Sequence, residues 1–362
     1  MNRQRTRLLP LLIGGILGAG AVPALAAGFP DFPEPGMVYT LSNASAGNQV
    51  LAFRRAANGG LTSAGAVASG GVGTGAALAS QGALAMTADG QWLFAVNAGS
   101  DSISSFAVRP GGLVLADTAP SGGATPVSLA VHGRLLYVLN QGGSGNISGF
   151  WVGPGGHLAP IPGSTRPLSS SAASAEQVGF SPDGERLVVS EKATGLLDIF
   201  QVLDFGMVSG PVTHPSNGAG PYGFTFTGRD ELLVTEAGND SVSAYDLGWN
   251  SLTTISASVP SDGLAPCWIA ATPDGRYAYA ANAHVGTIAG YRIAPDGALT
   301  FLAITSPDAY PLLDLAVASR YLYALDDGDG QILGFQVRPD GSLDALAGAT
   351  GLPTSAAGLA AD

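Results

Sequence analysis

Two glutamates are the residues best placed to do chemistry. Glu191 closes the apolar run that begins at Leu187, and Glu236 closes the run that begins at Leu232. Comparable runs elsewhere close on Asn43, Asn97, Asn140, Asn282 and Asp326. Asparagine and aspartate bond the backbone of a following turn, which explains them without any ligand. Glutamate is a poor turn former, so its presence in two successive runs asks for another role. A carboxylate there can act as general base on water, with Asn282 or His284 polarising a carbonyl. Glu236, Glu191 and His284 are therefore the candidate catalytic residues.

Ligand contacts are expected from Asn97, Asn140, Asn282 and Asp326 in this set. Gln177, Tyr222 and Trp268, near the starts of neighbouring apolar runs, join them. Tyr222 and Trp268 can stack on a sugar ring, with core packing as the rival role. No His-x-x-x-His or Cys/His cluster exists, so no zinc site is expected. The stretch Asp326 to Gly330 is rich in oxygen but lacks the spacing and final glutamate of an EF-hand loop. A divalent cation there is the one cofactor left open. No Gly-x-Ser-x-Gly turn is present for Ser-His-Asp catalysis.

The runs that carry these residues repeat. Trp92 to Phe106, Tyr277 to Tyr291 and Tyr321 to Phe335 each read as a strand, a polar residue, a glycine-rich turn and a strand ending in an aromatic. Weaker copies run from Tyr39, Leu136, Leu187 and Leu232. The terminal aromatics Phe53, Phe106, Phe150, Phe200, Tyr245, Tyr291 and Phe335 are 53, 44, 50, 45, 46 and 44 residues apart. That is the period of a four-stranded propeller blade. Turns such as Ser181-Pro-Asp-Gly184 and Thr272-Pro-Asp-Gly275 precede the runs, and a second set, including Ala294-Pro-Asp-Gly297, follows several of the aromatics. Two hairpins per unit give four strands.

The predicted fold is thus all-β, a seven-bladed β-propeller. The chain enters at Val38 on a second strand that lacks its first. It leaves through Ser355 to Asp362, which resembles the first strand near Ser80 to Asp89. The C-terminal strand is therefore expected to join the N-terminal blade and close the ring. Asn58 to Ala79 and Ser164 to Ala175 read as long surface connections.

Residues 1–26 read as a signal peptide: a basic start, an apolar run and Ala24-Leu25-Ala26 before the cleavage point. Residues 27–362 are then a single domain, exported to a periplasmic or extracellular space. Removing three arginines leaves 12 basic against 27 acidic residues, with Lys192 the sole lysine. Such a surface disfavours nucleic acid and anionic lipid. No membrane span is expected after cleavage, and a monomer is expected. Cys267 is the only cysteine, so no intrachain disulfide can form.

The Ser-Pro-Asp-Gly turn, the stretch Phe94 to Phe106 and the stretch Tyr291 to Leu299 resemble the lactonase family of seven-bladed propellers. That family includes a type of 6-phosphogluconolactonase and a muconate lactonising enzyme. The resemblance covers about residues 37 to 362. It implies a Gly-Pro-Arg-His motif opening one first strand and a glutamate ending the next strand. The matching stretch is Gly220-Pro221-Tyr222-Gly223, followed by Glu236. The glutamate is kept, and Tyr222 and Gly223 replace the arginine and histidine. Glu176-Gln177 stands where a further histidine is expected. Two readings follow: an exported hydrolase of a neutral or cationic lactone, or a non-catalytic propeller binding a glycan, peptide or protein at its channel mouth.

Overall fold

The computed structural model describes residues 34–362. The signal peptide read over residues 1–26 lies outside them. Seven sheets surround a central channel. Blade 1 takes Gly36–Leu41, Gln49–Arg55 and Leu61–Ala68, with Ala357–Ala361 as its innermost strand. The first strands of blades 2 to 7 are Leu84–Met86, Ala124–His132, Ala175–Phe180, Pro221–Phe226, Pro266–Ala271 and Leu312–Ala318. Every blade is an antiparallel meander, and the first strands face the channel. We call upper the face on which first strands begin and second strands end.

Closure follows the expectation. Ala357–Ala361 pairs antiparallel with Gly36–Leu41. The Arg55 guanidinium donates to the Asp362 carbonyl at 2.7 and 3.1 Å, clamping the join. The seven terminal aromatics are all buried on third strands, at 5% exposure or less. Each contributes roughly 2–3 kcal/mol of apolar burial. They wedge between blades, which is why one aromatic recurs per blade. The Asp-Gly turns form as read: Gly90, Gly184 and Gly275 have φ of 66, 74 and 65°.

Two details differ from the sequence reading. Leu61–Ala68, inside the expected connection, is the fourth strand of blade 1. Its run of Thr, Ser, Ala and Gly conceals it, because an outermost strand is mostly exposed and needs few apolar side chains. In blade 1, Ser42 rather than Asn43 matches Asn97, since Leu41 pairs with Val50 as Val96 pairs with Ile103. Asn43 lies one residue further, at φ 46°.

Candidate active site at the upper channel

The second-strand ends form the expected ring, and their side chains are buried among connecting segments. The Glu236 carboxylate receives five hydrogen bonds. Ser216 Oγ, Gly218 N and Tyr245 OH donate to Oε1 at 2.8, 2.7 and 3.2 Å, and Ser241 Oγ and Ser258 Oγ donate to Oε2 at 2.8 and 3.0 Å. The Glu191 carboxylate receives Ser169 N at 2.9 Å, Ser169 Oγ at 2.5 Å and Thr194 Oγ1 at 2.6 Å. His284 is exposed on the turn after Asn282. These three lie on separate blades, and no hydrogen-bond partner of Glu191 is shared with Glu236.

The asparagines act in the same manner. Asn97 accepts from Ser69 Oγ at 2.6 Å and donates to Ser104 Oγ at 2.8 Å. Asn140 donates to Asn146 Oδ1 at 3.0 Å, and Asn282 to Thr287 Oγ1 at 3.0 Å. Asp326 accepts from Gln331 Nε2 at 2.8 Å. Each ties a strand end to its own turn or to the segment entering the blade. Among the described residues, no three His, Cys, Asp or Glu side chains gather to hold a metal.

A different ring faces the channel. The first strands of blades 3 to 7 and the closing strand each carry a register shift near the upper end. Such a bulge opposes two residues to one and re-aims side chains. The residues involved include Val127, Glu176, Tyr222, Cys267 and Asp314. The last four stand at matching bulges on the neighbouring first strands of blades 4 to 7. Burial and the charges of Glu176, Cys267 and Asp314 all push the Tyr222 phenol well above its ordinary range.

Inner strands present unpaired backbone, and side chains from other blades satisfy it. Gln81 reaches from blade 2 to the opposite side of the ring. Its amide donates to Ile269 O at 2.8 Å and accepts from Ile269 N at 3.1 Å. Gln177 does the same for Phe224, at 3.0 and 2.6 Å. The Trp268 indole N–H donates to Ser80 O at 2.9 Å, also across the channel. Gln81 and Trp268 thus plug the channel, while Gln177 joins blade 4 to the neighbouring blade 5. Gly223 stands where the resemblance implies a histidine, and a Cβ there would collide with Gln81 Oε1 and the Cys267 carbonyl.

Above this plug lies a site that the ring of strand ends did not reveal. Glu176 is 2% exposed. Its Oε1 accepts from Ser174 Oγ at 3.1 Å, and its Oε2 has no hydrogen-bond partner among the described residues. Burial pushes its carboxyl up to about 7, against the opposing pull of the Lys192 charge. The Lys192 ammonium lies 5.1 Å from the Tyr222 ring centroid. Tyr222 packs edge-on against Trp268, with centroids 5.4 Å apart. Burial pushes the Cys267 thiol up to about 12, which makes it an inert neighbour at neutral pH. Asp314 accepts from Leu315 N at 2.8 Å and Leu359 N at 2.9 Å. Burial still pushes its carboxyl up to about 7.

Lys192 was legible in one respect, as the sole lysine, next to Glu191 in sequence. Glu176 was not, because a bulge breaks the two-residue alternation that would tell it from Gln177. A cavity of about 620 Å³ opens on the lower face, between Met86, Asp89, Val317 and Ala361. It is remote from the upper strand ends and takes none of these buried acids into its wall.

Fold and site together define a closed seven-bladed propeller with an acid, a cation and two aromatic rings at one channel mouth. The model of the lactonase family of seven-bladed β-propellers matches residues 33–166, so the resemblance read from the sequence holds. No curated protein matches the chain. Solved structures share the fold. A candidate 6-phosphogluconolactonase of Bacteroides uniformis is 21% identical, with 90% of this chain and 99% of that one covered and a TM-score of 0.74. A protein of Lactobacillus plantarum is 17% identical, with coverage of 91% and 99% and a TM-score of 0.73. The periplasmic gluconolactonase of Pseudomonas aeruginosa is 18% identical, with coverage of 90% and 99% and a TM-score of 0.68.

Proposed function

We propose that this chain is an exported lactone hydrolase working at the upper channel mouth in a periplasmic or extracellular space. The observation that carries the reading is a buried carboxyl, pushed up to about 7, within the electrostatic reach of the sole lysine, which stands over Tyr222. A group poised near the working pH is what general-base catalysis needs. Glu176 takes a proton from water as the water oxygen bonds to the lactone carbonyl carbon. The Lys192 ammonium faces the negative charge that grows on the carbonyl oxygen. The ring C–O bond then breaks, and the leaving oxygen takes the proton back from Glu176. Tyr222 and Trp268 form the wall behind the cation. Lys192 fills the role of the arginine that the family motif implies, from a different blade.

The test is hydrolysis of a panel of neutral and charged lactones by residues 27–362. Glu176→Gln is expected to lower kcat about 10²- to 10⁴-fold. Lys192→Met is expected to lower it about 10²- to 10³-fold. Activity of the wild type should rise with pH as Glu176 ionises around 7. Wild-type turnover that persists in Glu176→Gln would sink this mechanism. A folded wild type with no turnover on any lactone would favour the binding propeller.

A further inference from the structure

The segment that supplies Ser174 to Glu176 is tied down at its other end by two carboxyl groups. Ser169 N donates to Glu191 Oε1 at 2.9 Å and to Asp198 Oδ2 at 3.1 Å, and Ser169 Oγ donates to Glu191 Oε2 at 2.5 Å. Glu191 and Asp198 are both fully buried. They lie on neighbouring strands of blade 4, with Glu191 opposite Leu196 and Asp198 opposite Val189. Asp198 Oδ1 is buried and accepts no bond from any donor among the described residues. Two adjacent buried carboxyls cannot both ionise cheaply. Five residues after Ser169, the chain meets the proposed site. Lys192 N donates to Ser174 O at 3.1 Å, Ala193 N donates to Ala173 O at 3.0 Å, and Ser174 Oγ donates to Glu176.

We propose that Asp198 and Glu191 share one proton as a latch on residues 169–174, and that loss of this proton frees the segment and opens Glu176 to water. The regulatory meaning rests on the reading of Glu176 as the base; the latch itself does not. The proton sits on Asp198 and is donated toward Glu191, whose oxygens accept from Ser169 and Thr194. Burial first, then the bond to Glu191 and its charge, raise Asp198 to about 8. Other titratable groups nearby are placed differently. His214 pairs with Leu197 and so points to the opposite face of the sheet. Arg166 is turned to the carbonyls of Gly163 and Thr165. Lys192 and Glu176 lie at the far end of the segment.

The equivalent position in blade 5 shows why the pair is special. Ser216 bonds Glu236 as Ser169 bonds Glu191, but Ser243 replaces Asp198. Blade 5 therefore has the clasp without the second acid.

Linkage sets the sign. When the segment opens, Asp198 meets water and its proton affinity falls to the ordinary carboxyl range. The opening constant should then rise about tenfold per pH unit between roughly pH 5 and 7.5. Amide hydrogen exchange of the full folded chain reads this directly. Amides of residues 169–174 should lose protection with that slope after correction for intrinsic exchange, and Asp198→Asn should flatten it. Protection that does not change with pH in the wild type, or an equal slope in Asp198→Asn, overturns the latch. Carboxyl ¹³C titration of the wild type gives an independent measure that needs no variant. Asp198 should hold its proton to about pH 8, and ionisation of both acids below pH 5 overturns the proposal. Neither measurement needs turnover, so each bears on the latch whatever the lactone assay shows.

Discussion

Blades 4 and 5 place glutamate at the same strand end, each on a serine from the entering segment, and give it different neighbours. Glu236 is surrounded by neutral donors, five in all: Ser216 and Gly218 from the entering segment, and Ser241, Tyr245 and Ser258 from its own blade. Glu191 has three donor bonds and a second carboxyl beside it. Glu236 is thus a structural tie whose charge is fully answered. Glu191 is half of a pair that must hold a proton to stay comfortable. Position in the blade decides where a side chain goes, and the neighbouring residue decides whether it can respond to pH.

The strongest way to break this comparison is Glu236→Ala. It leaves five donors facing a void, those of Ser241 and Tyr245 on buried residues, and should cost about 3–5 kcal/mol in denaturant unfolding. A cost under 1 kcal/mol would show that the five bonds are not what holds this strand end. Glutamine sharpens the contrast. Glu236→Gln turns an amide N–H₂ toward groups that donate, and should cost about 1–3 kcal/mol. Glu191→Gln should cost less, because its amide can donate to Asp198 and the charge of Glu191, one cause of the raised Asp198 carboxyl, is removed while burial remains. The same denaturation experiment ranks the two variants, and the reverse order would reject the proton-sharing account.

A smaller effect separates the blades by pH. Asp198 is raised to about 8, and Glu176 and Asp314 to about 7. Each holds its proton more tightly folded than unfolded. Their stabilising contribution is therefore complete below about pH 4 and is lost as pH rises through about 7 to 8. The melting temperature of the wild type should fall between pH 5 and 8. Asp198→Asn should shrink that fall, and Ser243→Ala in blade 5 should leave it unchanged. The smallest expected effect is Thr194→Ala or Ser258→Ala, each removing one donor at about 0.5–1.5 kcal/mol.

Much of the architecture was legible because it is local and repeated. The aromatic ruler, the Asp-Gly turns and the tail that copies a first strand each report a blade, and blades of one period close into a ring. The outer strand Leu61–Ala68 escaped because exposure relaxes the need for apolar residues there. The ring of strand ends was also read correctly in place, apart from Asn43. Its chemistry was not legible, since Glu236 reads the same in sequence whether a ligand or five hydroxyl and amide donors meet it. Gln177 and Trp268 show the same limit. Each looks ready for a ligand and is instead joined to the backbone of another blade.

The sequence by itself determined the number of blades, the turn chemistry, the closing strand and the sole lysine, because these depend on residue type and on spacing along the chain. The tertiary structure decided that Glu176, Lys192, Tyr222, Cys267 and Asp314, which come from four blades, share one channel end. It also decided that Glu191 meets Asp198 while Glu236 meets only neutral donors. Proton affinity depends on burial and on the nearest charges, and closure of the ring sets both by joining strands far apart in sequence.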